Sequence, residues 1–309
     1  MADNLIYGPV PSRRLGFSLG VDIVPYKVCS YNCIYCQIGT TPETTIERKP
    51  YVSSEIILSQ LFARLNEGIQ PDYITLGGSG EPTLNSDIAD IIKSIKSQVN
   101  IPVAVITNGS MLMNNEVRVD LFGADVVLPS FDACDKNTFL KINRPHASLE
   151  FDEMANGLLE FRKIFPGEIW LEIFIVRGIN DTESMIRKFK QWTDKFEPDK
   201  IHLNTAVRPT AEIDVHTVPE NILNNFCKIL GEKAEVVAPF KKQATNKKMI
   251  DTEKEILSML GRRPCTLSDI SSGLGIHQHE ILKYVEPMIT NKNIEVLHIN
   301  GKIFYQKKL

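Results

Sequence analysis

Between residues 18 and 203 the sequence repeats one order six times: a short β-branched, apolar run ending in small or polar residues, an amphipathic helical stretch, and a return. The runs fall at residues 18–25, Tyr73–Leu76, Val103–Thr107, 125–129, 169–176 and 200–203. Ser53 is placed to cap a helix with Ile57, Leu61 and Leu65 on one face and Gly68 at its end. A second helix is expected near residues 87–97. Thr182 is placed to cap another whose buried stripe is Met185, Phe189, Trp192 and Phe196. Alternation at this spacing implies a parallel sheet with right-handed crossovers. The expected fold is α/β, a partial (β/α)6 TIM-like barrel. In such barrels the active site lies at the carboxyl ends of the strands, and the unusual residues of this chain all follow those ends.

The pattern changes after Lys241. The polar run KKQATNKK reads as a linker at residues 241–248, separating a core of residues 1–240 from a module of residues 249–309. In that module, helical patterns at 249–260 and 267–272, the latter with Thr266 as cap, precede a third from about His277. The third carries Ile281, Val285, Met288 and Ile289, and Pro287 is expected to end or kink it. Runs at Ile294–Ile299 and 303–306, joined through Asn300-Gly301, predict a hairpin with a primed turn. This is the order of a winged-helix domain. Residues 241–309, linker included, hold 12 Lys and Arg against 7 Asp and Glu, while residues 1–240 hold 23 against 31, so a basic tail follows an acidic body.

At 43% apolar and 24% charged residues the chain is globular rather than disordered. No run of about 18 apolar residues occurs and the first residues lack a signal-like apolar core, so a cytoplasmic protein without a membrane span is expected. Six cysteines, three within eight residues, do not form a disulfide framework and point to metal or redox chemistry. In CSYNCIYC, Cys29, Cys33 and Cys36 are spaced C-x3-C-x2-C. Three thiolates on one loop suit zinc or an iron-sulfur cluster, and both normally take a fourth ligand. No Cys or His lies near enough in sequence to supply it, which is a defect for zinc but leaves an iron open to a ligand in a cluster.

With Tyr35 just before the last cysteine, this motif resembles the signature of the radical S-adenosylmethionine (SAM) superfamily. The resemblance implies a 4Fe-4S cluster on Cys29, Cys33 and Cys36 whose unique iron is chelated by S-adenosyl-L-methionine. Reductive cleavage of SAM then releases a 5'-deoxyadenosyl radical that abstracts hydrogen from a substrate. The segment Gly77-Gly78-Ser79-Gly80-Glu81-Pro82 is similar to the superfamily's Gly-Gly-Glu element, which receives the SAM ammonium group. Glycines let backbone carbonyls approach a cation and Glu81 matches its charge. A phosphate-cradling loop is the rival reading, but no Gly-Lys-Ser/Thr follows.

Asn108, Ser130, Asp132, Glu172 and Asn204 end or interrupt strands where family members hold the rest of SAM, with helix capping or ion pairing as the alternative. Arg13 and Arg14 in PSRRLG, and Asn143, Arg144 and His146 in INRPH, are candidates to face a substrate or to form structural ion pairs. Cys134 reads as a packed small residue. These two motifs resemble a branch of iron-sulfur oxidoreductases distantly similar to the tRNA wyosine-base synthases. The implied partners are an electron donor such as flavodoxin or ferredoxin and a tRNA or protein substrate docked by the tail, whose Lys283, Lys292, Lys302, Lys307 and Lys308 are available to phosphates. The competing function is a redox-sensing regulator with a DNA-binding winged helix, which has no use for the GGSGEP segment.

Overall fold

In the computed structural model, eight strands form one sheet in chain order: β1 (Ile6–Ser12), β2 (Gly16–Val21), β3 (Tyr73–Leu76), β4 (Val103–Thr107), β5 (Val126–Pro129), β6 (Glu168–Ile175), β7 (Lys200–Thr205) and β8 (Ala234–Val236). The structure describes residues 5–237, 252–276, 278–299 and 301–308. β1 runs antiparallel to β2, and every later neighbouring pair is parallel. Among the described residues seven α-helices accompany the sheet: α1 (Ser54–Asn66), α2 (Ile88–Gln98), α3 (Asn115–Asp120), α4 (Lys136–Ile142), α5 (Phe151–Ile164), α6 (Glu183–Phe196) and α7 (Glu220–Leu230). Their apolar faces and the sheet form the main core, in which Phe131, Phe139, Phe161, Phe189 and Phe196 are fully buried. Each such side chain contributes about 2 kcal/mol of transfer free energy.

Two strands were not foreseen. β1 contains Pro9 and Pro11, which break the alternation a strand normally displays, and prolines are tolerated there because β1 is an edge pairing only with β2. β8 has three residues, too few to show a period. Among the described residues the sheet therefore has eight strands rather than six. The run expected over 18–25 stops at Val21, after which Asp22 turns to accept bonds from Ser79.

Helix ends follow the capping expectations in part. Thr182 accepts from the amide of Met185. Ser53 occupies the cap position of α1 but makes no side-chain bond there. In α6, Phe189 and Phe196 are buried as predicted, while Met185 and Trp192 are only partly buried against the core.

Beyond the barrel, α8 (Thr252–Arg262), α9 (Leu267–Leu274) and α10 (Gln278–Thr290) precede the antiparallel pair β9 (Ile294–Ile299) and β10 (Lys302–Lys307). Thr266 and Asp269 form a reciprocal capping box on α9. Pro287 lies inside α10 without ending it: it removes one helical donor three residues before the helix end, and Asn291 donates to its carbonyl at 2.8 Å. Residues 241–248, the start of the first helical pattern, His277 and Asn300 lie outside the described residues. This module has its own core around Ile256, Leu260, Ile270 and Ile281, onto which Val10 of β1 packs. α8 and α9 lie against β1, Glu255 pairs with Arg64 of α1, and Asp269 is 3.3 Å from Arg208 after β7. The module thus reaches from one sheet edge to the segment following β7. Among the described residues no helix is long and apolar enough to cross a membrane.

Candidate active site

The cysteine loop, between β2 and α1, is held by backbone bonds to three other parts of the barrel. The amide of Lys27 donates to Ser79 O at 2.7 Å, Glu81 N to Val28 O at 2.9 Å, Ile34 N to Ile142 O at 3.0 Å and His146 N to Ser30 O at 2.8 Å. Tyr35 stacks on Phe174 with ring centroids 4.0 Å apart and donates its hydroxyl to Asp132. Asp132 also accepts from Asn143 Nδ2 at 3.0 Å and from the amide of Phe174 at 2.8 Å.

Each thiol has a donor beside it. Lys27 Nζ is 3.3 Å from Cys36 Sγ, Asn108 Nδ2 is 3.6 Å from Cys29 Sγ, and Asn143 Nδ2 is 3.6 Å from Cys33 Sγ. Burial, reinforced by Glu81, pushes the Cys29 thiol up to about 12, and burial pushes Cys33 well above the usual range. Among the described residues no three His, Cys, Asp or Glu side chains converge as a single ion requires. A cluster places its cysteines on separate irons, and three separated thiols, each with a donor for a negative sulfur, fit that group.

The segment after β3 is shaped by close approach. A Cβ on Gly80 would lie 2.0 Å from Val28 O, and Gly77 and Gly78 take φ of 139° and 149°. The Gly77 carbonyl accepts from Tyr7 Oη at 2.6 Å. Ser79 donates from its amide and hydroxyl to the buried Asp22, at 2.9 and 3.0 Å, and accepts from Arg262 Nη1 at 2.7 Å; Arg262 also ion-pairs with Asp22. Glu81 is 1% exposed, and its Oε1 accepts from Thr83 N, Thr83 Oγ1 and Thr107 Oγ1 while Oε2 accepts from Asn108 N at 2.6 Å. Burial raises this carboxyl and the four donors oppose the rise. Glu81 thus ties the β3 and β4 ends together, and any ligand cation shares a carboxylate already in use.

A cavity of about 350 Å³ joins these parts. Cys29, Cys33 and Cys36 line it together with Ser79, Gly80, Glu81, Asn108, Ser130, Glu172 and Asn204. Asp132 does not: it sits behind the wall, 2% exposed, and orders the cysteine loop through Tyr35 and Asn143. Glu172 ion-pairs with Arg14, and Asn204 Nδ2 is 3.4 Å from Glu172 Oε1. Arg13 and Arg14 both face the cavity. Arg144 pairs instead with Glu212 at 2.6 Å, and His146 bonds Ser148 Oγ at 2.7 Å in an exposed turn. Cys134 is packed in the core beside Met185.

Sequence reasoning missed Asp22, Lys27, Arg208, Arg262 and Arg263, all of which meet the cavity or its wall. Lys27 and Asp22 flank the cysteine motif and were within reach of a search for charges near it. Arg262 carries no local signal, because its partner Ser79 is 183 residues away.

The family model of the radical SAM superfamily matches residues 23–189, a span containing the cysteine loop and GGSGEP. This chain belongs to the radical SAM superfamily. Members of the superfamily use a 4Fe-4S cluster and SAM, and the chain is an enzyme of this class rather than a non-enzymatic regulator. It is 34% identical over 320 residues to the UPF0026 protein MJ1312 of Methanocaldococcus jannaschii, covering 99% of this chain and 97% of that protein. It is also 37% identical over 304 residues to a Brachyspira hyodysenteriae protein named GTPase Obg, covering 97% of this chain but only 45% of that one. A radical SAM methyltransferase from Sphaerobacter thermophilus shares the fold, with a TM-score of 0.57 and 17% identity over 71% of this chain and 65% of that one.

Proposed function

We propose that this radical SAM enzyme holds its cluster on Cys29, Cys33 and Cys36 and its SAM along Ser79, Gly80, Asn108, Ser130, Glu172 and Asn204. The observation that carries this reading is that the three thiols and the Gly77–Glu81 segment line one cavity at the carboxyl ends of the parallel strands. When bound, the reduced cluster supplies the electron that cleaves SAM, and the 5'-deoxyadenosyl radical takes a hydrogen atom from the substrate. Lys27, Asn108 and Asn143 stabilise negative charge on sulfur by donating to it. Tyr35 and Asp132 fix the loop on which the cysteines stand. Glu81 holds the floor of the SAM side through its four bonds.

We read residues 249–309 as a winged-helix module, the substrate as a group presented by a tRNA or a protein, and the electron donor as a flavodoxin or ferredoxin. Lys283, on the third helix of that module, is paired with Glu280 at 2.7 Å, which lessens its value as a phosphate contact.

The test is anaerobic incubation of the reconstituted protein with SAM and dithionite, followed by chromatography for 5'-deoxyadenosine. Wild type is expected to form it; Cys36→Ala is not, and Cys33→Ala should lack the visible iron-sulfur absorption. Full absorption in Cys33→Ala would overturn the ligand assignment, and equal product from Cys36→Ala would overturn the site.

A further inference from the structure

The wall of the cavity away from the cysteines is crowded with guanidinium groups. Arg13 and Arg14 come from the β1–β2 turn, Arg208 from the segment after β7 and Arg263 from the end of α8. Arg13 and Arg14 are pushed down to about 9, mainly by burial and then by the other arginines of the group. Two carboxylates answer them: Glu172 pairs with Arg14, and Asp269 with Arg208. The remaining nearby acids are committed elsewhere, Asp22 to Arg262 and Ser79, and Glu81 to its four donors. Among the described residues Arg13, which is partly buried, makes no ion pair or side-chain hydrogen bond, and the one carboxylate acting on it is Asp269, already paired with Arg208; Arg14 Nε and Arg263 Nη2 are buried without a partner. Four cations against two anions leave two positive charges in a half-enclosed space, with donors aimed at nothing. Arg13 and Arg263 are partly buried, and like charges gathered this closely with too few carboxylates to answer them attract a counter-charge.

We propose that this wall binds a dianionic group of the substrate, a phosphate or a pair of carboxylates, between Arg13, Arg14, Arg208 and Arg263. Guanidinium forks match either group by paired, charge-assisted hydrogen bonds. Arg263 brings the C-terminal module into substrate recognition, so the module forms part of the binding wall itself. The proposal rests on the reading of this cavity as the radical site, but its test does not need turnover.

The test is calorimetric titration of the reconstituted full-length protein with inorganic phosphate and, separately, with succinate; a SAM titration serves as control. Wild type is expected to bind one of the two anions, phosphate pointing to a phosphorylated substrate and succinate to a dicarboxylate. Arg263→Gln and Arg13→Gln should each weaken that anion by about 10-fold while SAM affinity holds. Arg263→Lys, which keeps the charge without the fork, should fall between. No binding of either anion to wild type, unchanged anion binding in Arg263→Gln, or a loss confined to SAM would overturn it. Absence of 5'-deoxyadenosine with normal anion binding would instead count against the cluster and SAM assignments.

Discussion

The two walls of the cavity are built on opposite principles. On the cysteine wall, polar groups are buried and answered from within the chain: Glu81 accepts four hydrogen bonds, and Asp132 accepts from Tyr35, Asn143 and Phe174. On the arginine wall, like charges are gathered and only half answered, with buried nitrogens left over. A satisfied network is rigid, since moving any member strands another in low dielectric. An unsatisfied one stores unfavourable energy that a ligand releases. On the functional reading proposed above, the contrast separates the wall that positions a cofactor from the wall that selects a substrate.

The largest expected effect is on the first wall. Gly80→Ala places a Cβ 2.0 Å from the carbonyl oxygen of Val28, and neither backbone can give way without breaking the bond from Glu81 N to Val28 O. A loss of more than about 3 kcal/mol is expected, read as a shift in the denaturant midpoint. The reconstituted iron content should fall with it, because Cys29 is the neighbour of Val28. A wild-type midpoint would mean that the cysteine loop is not held rigidly and would erase the contrast.

A smaller effect tests the crowding of positive charge. His202 on β7 is 2% exposed, and its imidazole is pushed down to about 4 by burial, by Arg14 and by Lys200, despite Glu235 at 3.2 Å. The ring is therefore neutral when folded, whereas the unfolded chain takes its proton near pH 6.5. Above that pH the two states agree and stability is full. As pH falls toward 4, the unfolded state binds a proton that the folded state refuses, and stability is lost. About 2 kcal/mol should disappear by pH 5. His202→Gln should flatten the fall in Tm between pH 6.5 and 5, and an unchanged acid limb would show that the ring is not held neutral.

The two walls were also unequally legible in the sequence. Strands β3 and β4 were placed residue for residue, because short β-branched and apolar runs bounded by Pro and Gly leave little freedom. The cysteine wall is nearly local: Cys29 to Cys36 and Gly77 to Glu81 are short motifs whose spacing carries the chemistry. Asp132 was legible as important but not in its role, since only the fold shows that Tyr35 and Asn143 close on it from the side away from the cavity. The arginine wall is assembled from three distant segments, and β1, which turns into its first segment, was masked by two prolines. Charges meeting across such separations leave no periodicity to read. Their meaning lies in a count of partners, which exists only in three dimensions.

The smallest effect has the sign that damage cannot mimic. Asp269 accepts from the α9 cap through Thr266 and, through Oδ1, from Arg208. Asp269→Asn keeps a carbonyl oxygen for the capping interaction but removes one of the two negative charges answering the four arginines. If the wall awaits an anion, that deletion leaves one more positive charge for the ligand to neutralise. The inorganic anion that binds wild type should then bind about 3-fold more tightly, the worth of a partly exposed ion pair at ~0.7 kcal/mol. Weaker binding would mean that Asp269 holds Arg208 in the geometry the ligand needs, so that order rather than charge balance governs this wall. Tighter binding, in a variant that loses a native interaction, would identify the excess positive charge as the part of the site that recognises the substrate.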